Sequence, residues 1–263
     1  MQSKKIFPKK RFSQNFLVDP GTRRKILQAC CVSADDHILE IGSGRGELTV
    51  MFAEVAKKLF AVELDRDLCV LLKEKLAGFN NVELIAQDIL KVNFSSLGVK
   101  SKLKIIGNLP YNISTPIIEH LIAERNFIKE AFIMVQKEYA ERVSALPGGS
   151  DYGSLSCFVQ YYFEPKILLV INRGCFFPKP KVDSAFLHLI PRKKAPVEVK
   201  NEEELFKLIR RSFQQRRKTL RKCLKGVVEQ ATVDKVLSAR KLSPLARPQE
   251  LSLEDFAALF NAI

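Results

Sequence analysis

Ile38-Leu39-Glu40-Ile41-Gly42-Ser43-Gly44-Arg45-Gly46-Glu47 is an apolar run that breaks into alternating glycines and then enters a segment of helical periodicity. A strand, a glycine-rich turn and a helix in that order form the ligand-binding corner of a parallel α/β sheet. The glycines admit conformations that a Cβ forbids and let the backbone come close to a ligand. Outward from this corner, strand candidates fall at Ile38–Ile41, Leu59–Val62, Val82–Ile85, Leu103–Ile106, Ala131–Val135, Lys166–Ile171 and Ala185–Ile190. The first four begin about 20 residues apart with helical patterns between them, the βαβ rhythm of a parallel sheet covered on both faces. Seven strands suit a doubly wound α/β fold. The last two are joined by a loop, which predicts an antiparallel edge pair.

Pro191-Arg192-Lys193-Lys194-Ala195-Pro196 reads as a linker, with two prolines bracketing a charged stretch. Beyond it the pattern is helical over Glu202–Ser212, Arg216–Leu224, Thr232–Ser238 and Leu253–Ala262, with Ser252 placed to cap the last helix. The expected organisation is a domain at 1–191, opened by a basic arm over Lys4–Arg11, and a small all-helical domain at 197–263. A basic, acid-poor start also fits an organelle targeting segment, but it runs at once into a motif at Gln14.

A dinucleotide-binding turn requires G-x-G-x-x-G, whereas here the third glycine is Gly46 and Glu47 follows it. That carboxylate is a poor neighbour for a pyrophosphate at a helix N-terminus. The pattern E-x-G-x-G-x-G instead resembles the first motif of class I S-adenosylmethionine-dependent methyltransferases. Glu63 ends the second strand, where a carboxylate can accept both ribose hydroxyls. Asp88 ends the third, where that superfamily contacts the cofactor's adenine. The plainer alternative is that each acid caps the helix after it.

Gly107-Asn108-Leu109-Pro110-Tyr111 closes the fourth strand. Its residue types suit a simple turn. At this place it also resembles the [DNS]-P-P-[YF] motif of amino-methyltransferases. The lone pair of adenine N6 is delocalised into the ring and is a poor nucleophile. The Asn108 side-chain oxygen and the Leu109 carbonyl can accept its two N–H groups and favour a pyramidal nitrogen. Pro110 makes the two acceptors converge, and Tyr111 can stack on the base.

With these motifs in place, the chain resembles the KsgA/RsmA family of small-subunit ribosomal RNA adenine dimethyltransferases over nearly its whole length. The matching runs are Phe12–Leu17, the glycine turn, Asn108–Thr115, Phe176–Ser184 and Phe213–Arg221. The resemblance implies S-adenosylmethionine as methyl donor, S-adenosylhomocysteine as product, and cofactor contacts from Gln14, Asn15, Leu17, Gly42, Gly44, Glu63, Asp88 and Asn108. It implies that Phe176 forms the second face of a sandwich around a flipped adenine, opposite Tyr111; on its own Phe176 reads as a core aromatic. It further implies two methyls on each of two adjacent adenosines in a loop near the 3′ end of small-subunit ribosomal RNA.

Charge agrees with such a partner: 43 Lys and Arg against 29 Asp and Glu give a net +14. Lys207, Arg210, Arg211, Arg216, Arg217, Lys218, Arg221, Lys222 and Lys225 fall in one stretch without an acid, over a stripe of Leu208, Ile209, Phe213, Leu220 and Leu224. These cations, with Lys179, Lys181, Lys9, Lys10 and Arg11 at the mouth of the site, are the candidate RNA contacts. No run of about 20 apolar residues predicts a membrane span. The expectation is a cytoplasmic monomer acting on ribosomal RNA or a pre-ribosomal small subunit. The six cysteines form no C-x-x-C pair, so neither a metal site nor a disulfide framework is expected. Rival readings are an adenine methyltransferase of large-subunit RNA of the antibiotic-resistance type, a DNA adenine methyltransferase, and a non-catalytic assembly factor on the same fold. The second is disfavoured by Leu109 where its motif has Pro, and the third by the intact motifs.

Overall fold

The computed structural model describes residues 8, 9 and 14–263. The remainder of the basic arm, including Lys10 and Arg11, and the Phe12-Ser13 start of the N-terminal motif lie outside the described residues. In chain order the strands are β1 (Phe16–Leu17), β2 (His37–Ile41), β3 (Lys58–Val62), β4 (Val82–Ile85), β5 (Leu103–Asn108), β6 (Ile128–Gln136), β7 (Phe163–Ile171), β8 (Phe176–Phe177) and β9 (Ser184–Pro191). The helices are α1 (Pro20–Cys30), α2 (Glu47–Ala53), α3 (Arg66–Lys75), α4 (Ser114–Ala123), α5 (Lys137–Ser144), α6 (Ser154–Tyr162), α7 (Glu202–Phe213), α8 (Leu220–Cys223), α9 (Gln230–Ala239) and α10 (Leu253–Asn261).

Among the described residues a seven-stranded sheet has the order β4-β3-β2-β5-β6-β9-β7. Strands β2 to β6 pair in parallel, and β9 runs antiparallel to β6, with β7 beyond it at the edge. The central strands are buried along nearly their whole length, as expected for a sheet covered on both faces. Chain order reverses between β2 and β5, so the crevice at their carboxyl ends is the switch point where doubly wound folds bind ligands. Ile41 of β2 lies level with Val62 of β3 and Gly107 of β5, which brings the glycine turn, Glu63 and Asn108 to one height.

Local chemistry sets the helix starts. Asp19 accepts from Thr22 N at 2.5 Å with Pro20 in the first turn of α1, and Asp65 caps α3 through Asp67 N at 3.1 Å. Ser252 caps α10, as the sequence predicts, and its own N–H donates to Asp255 Oδ2, which closes a reciprocal capping box. At the amino end of β5, Lys104 is buried with 2% exposure. Its ammonium lies 2.9 Å from Asp36 and 3.5 Å from Glu130, and donates to the carbonyls of Cys30 at 2.7 Å and Cys31 at 3.0 Å. Burial opposes ionisation of Asp36, but hydrogen bonds from Lys104, Ser33 and Lys129 outweigh it and hold its carboxyl below the ordinary carboxylate range.

The chain divides into two compact units: Met1–Ala140 with Lys166–Pro191, and Glu141–Pro165 with Arg192–Ile263. The expected single boundary at 191–197 therefore misses one segment, because 141–165 joins the helical unit. The cause is packing: Tyr152, Cys157 and Tyr161 enter one apolar core with Leu205, Phe206, Ile209 and Phe256. The helix expected over Arg216–Leu224 shrinks to α8. Leu220 N is drawn to Ala246 O at 2.8 Å, and three consecutive cations precede it.

Candidate active site

A cavity of about 370 Å³ opens at the switch point, a size suited to a nucleoside-bearing ligand. Its lining brings together Gln14, Asn15, Gly42, Gly44, Glu63, Asp88, Asn108, Leu109, Pro110 and Tyr111. Two sequence candidates lie elsewhere. Leu17 is 6% exposed and borders a smaller neighbouring cavity behind the glycine turn. Phe176 is 3% exposed and packs in the core with Leu17, Ile26 and Phe186. Its neighbour Phe177 is the exposed aromatic, at 52%. The reason is the short antiparallel pair of β1 and β8, which matches Leu17 with Phe176 and Phe16 with Phe177, so side chains alternate across it.

The turn after β2 is built for close approach. Gly44 has φ of 59°, and a Cβ there would sit 3.4 Å from the Phe16 ring. Its N–H donates to Glu63 Oε2 at 2.8 Å, while Glu63 Oε1 accepts from the N–H groups of Leu64 and Asp65, both at 2.9 Å. Burial raises the Glu63 carboxyl above its ordinary value, and these backbone donors only partly offset that rise. Asp88 lines the cavity and also accepts from Leu90 N at 3.1 Å, so capping and ligand contact are compatible for it. Sequence reading missed Leu64 and Leu90, which line the same cavity at 50% and 37% exposure. The available signal was an apolar residue immediately after, or two after, a strand-end acid.

The Asn108 amide nitrogen donates to the Asn15 carbonyl at 2.8 Å. Leu109 N donates to Met134 O at 3.0 Å, which fixes the first residue past β5 against β6. Tyr111 is half-buried, and its hydroxyl lies 2.7 Å from Ser184 Oγ. Ahead of this motif, Arg45 sits over the Phe16 ring at 4.4 Å from the centroid.

The basic candidates are exposed: Lys179 and Lys181 in the first unit, and Arg210, Arg211, Arg216, Arg217, Lys218, Arg221 and Lys222 in the second. Several are already engaged. Lys207 pairs with Glu203 and Glu204, Arg221 lies 3.1 Å from Asp234, and the Arg216 guanidinium donates to the carbonyls of Ser150 and Tyr152. Arg210, Arg217, Lys218 and Lys222 make no ion pair among the described residues. The six cysteines are free thiols, and no cluster of three or more metal-ligating side chains occurs among the described residues.

A doubly wound sheet carrying a glycine turn after β2, an acid after β3 and Asn-Leu-Pro-Tyr at the end of β5 defines the class I methyltransferases. The family model described as ribosomal RNA adenine dimethylase matches residues 7–263. The chain belongs to that family, which implies S-adenosylmethionine as methyl donor and ribosomal RNA as the molecule acted on.

A protein of Pseudomonas putida named ribosomal RNA small subunit methyltransferase A is 43% identical over 256 residues, covering 97% of this chain and 94% of that protein. One of the same name from Moorella thermoacetica is 41% identical over 273 residues, covering 100% and 95%. Among solved structures, a dimethyladenosine transferase from Plasmodium falciparum aligns with a TM-score of 0.76 at 31% identity, over 93% of this chain and 95% of that one. The 23S ribosomal RNA methyltransferase ErmE aligns with 0.75 at 26%, over 94% and 99%.

Proposed function

We propose that this chain transfers methyl groups from S-adenosylmethionine to N6 of two adjacent adenosines in a loop near the 3′ end of small-subunit ribosomal RNA, giving N6,N6-dimethyladenosine. The observation that carries the reading is the Asn108 side chain. Its nitrogen is committed to the Asn15 carbonyl, so its oxygen is the atom offered to the cavity. An amine donor, not an acceptor, is what that oxygen recognises.

S-adenosylmethionine, when bound, supplies an electrophilic methyl group on a sulfonium. Glu63, with Gln14, Asn15, Gly42, Gly44, Asp88 and Asn108, would hold it, and the cavity volume of about 370 Å³ fits a nucleoside with an amino-acid tail. Asn108 Oδ1 and the Leu109 carbonyl then accept the two N6 hydrogens, turning the nitrogen lone pair outward from the adenine plane. Tyr111 stacks on the base that has left its helix. No strong base is needed, because positioning supplies most of the acceleration.

Exposed Arg210, Arg211, Arg217, Lys218 and Lys222, with Lys179 and Lys181, contact RNA phosphates. The Phe176–Ser184 segment serves the target base, through Phe176 if that ring emerges from its core position or through Phe177 as it stands. The protein is read as a cytoplasmic monomer. Among the described residues no helix is long and apolar enough to cross a membrane.

The small-subunit name carried by relatives at 40–43% identity favours this substrate over the large-subunit RNA named for ErmE. Incubation with labelled S-adenosylmethionine and under-methylated ribosomal subunits, followed by mapping of the modified base, tests the reading. Label on two adjacent adenosines near the 3′ end of small-subunit RNA is expected. Label on large-subunit RNA or DNA overturns the substrate, and absence of label favours an assembly factor.

A further inference from the structure

Asn108 offers the correct atom to a target amine only while its amide keeps one of two nearly isosteric orientations. A backbone carbonyl can only accept, so the Asn15 carbonyl fixes the amide nitrogen on its own side. Asn15 stands between Gln14 and β1, and its placement follows what ties those two neighbours down.

On one side β1 pairs with β8, and Val18 N donates to Cys175 O at 2.8 Å. On the other side the tie runs through Asp65. Gln14 Nε2 donates to Asp65 Oδ2 at 3.1 Å, and Gln14 Oε1 accepts from Lys9 N at 2.8 Å. The Lys9 ammonium bonds Asp65 Oδ1 at 2.6 Å and Asp67 Oδ2 at 2.5 Å. Both oxygens of a carboxylate only 2% exposed are thus spent on this N-terminal segment. Asp65 also caps α3, and its N–H donates to Glu63, so it is a fixed post.

Read from sequence, Lys9 is one more cation for RNA phosphate. Its ammonium, held between two carboxylates, has another use. We propose that Lys9 is a positioning residue for methyl transfer: bonded to both Asp65 and Gln14, it fixes Gln14 on Asp65, holds the adjoining Asn15 carbonyl against Asn108, and so keeps Asn108 Oδ1 turned toward the target amine. The proposal rests on the reading of Asn108 as the acceptor for adenine N6. The charge states agree with the geometry. Burial raises the Asp65 carboxyl, yet bonds from Lys9 and Gln14 reverse that and lower it, and the same pairing raises Lys9.

Two measurements on full-length protein test it. In steady-state assays at saturating S-adenosylmethionine, Lys9→Ala is expected to lower kcat at least about tenfold with the KM for RNA within about twofold, because misorientation of a reacting group is costly. Lys9→Arg, which can still bridge both carboxylates, is expected to restore most of kcat. A raised KM with a flatter salt dependence and unchanged kcat would overturn the proposal in favour of a phosphate contact. Independently of activity, the side-chain amide resonance of Asn108 in ¹⁵N-labelled protein, assigned by its loss in Asn108→Ala, is expected to shift in Lys9→Ala and return in Lys9→Arg. An unmoved resonance overturns the proposal. If wild-type protein fails to methylate small-subunit RNA, the reading of the reaction fails, while the resonance still decides the role of Lys9.

Discussion

The Tyr111 hydroxyl and Ser184 Oγ meet at 2.7 Å, joining the turn after β5 to the first residue of β9. Ser184 is fully buried and lies level with Gln136 in the β6–β9 pair, so it is a rigid partner for a ring that must present a flat face. Ser184→Ala should lower kcat/KM by about three- to tenfold, the range set by one hydrogen bond worth about 1 kcal/mol. Tyr111→Phe should cost a similar amount and the double variant little more. Additive losses in that cycle would show that the two groups act separately.

Removal of the acceptor itself is a harsher change. Asn108→Ala should reduce methyl transfer to background while RNA affinity, measured by filter binding, stays within about threefold, because phosphate contacts supply most of that affinity. Substantial residual transfer would refute the assignment of Asn108.

The basic stretch should split into two behaviours. Arg217→Ala and Lys218→Ala should weaken RNA binding and reduce the slope of log affinity against log salt by about one each. Arg216→Ala should act on stability instead, lowering it by about 1–2 kcal/mol in denaturant titrations, because it releases the carbonyls of Ser150 and Tyr152. A salt slope that falls equally for all three would reject this division.

Glu40 gives a pH-dependent prediction. It is fully buried, with Thr49 Oγ1 donating to it at 2.6 Å, and burial pushes its carboxyl from the ordinary 4.5 up to about 7. Between those values the folded chain holds a proton that the unfolded chain has released. The stability from this group is therefore present below pH 4.5 and is lost as pH rises to about 7. Glu40→Gln removes the titration. The stability of the wild type relative to this variant should fall between pH 5 and 8 by on the order of 1–3 kcal/mol. A constant difference would mean that Glu40 titrates normally.

Much of the pocket was legible because its parts are local. A glycine turn, a strand-end acid and Asn-Leu-Pro-Tyr are each written in a few adjacent residues, and parallel register then brings them to one level. What escaped depends on distance along the chain. Phe16–Leu17 and Phe176–Phe177 are strands of two residues, too short for any periodicity, yet their pairing decides which phenylalanine is buried. The segment 141–165 joins the helical unit through side chains whose partners lie beyond residue 200. Arg216 and Lys9 read as free cations, because sequence gives the charge and not the oxygen that faces it.

Lys104 and its acidic partners place a different kind of constraint on this chain. A buried ion pair that loses one member costs about 3–5 kcal/mol, whereas exchange of the whole group for apolar residues can be neutral. Positions 36 and 104 therefore form one unit of inheritance. Related sequences that part with the lysine should part with the aspartate, and single changes at either position should be rare, whereas Glu130 retains His188 as a partner and can vary by itself.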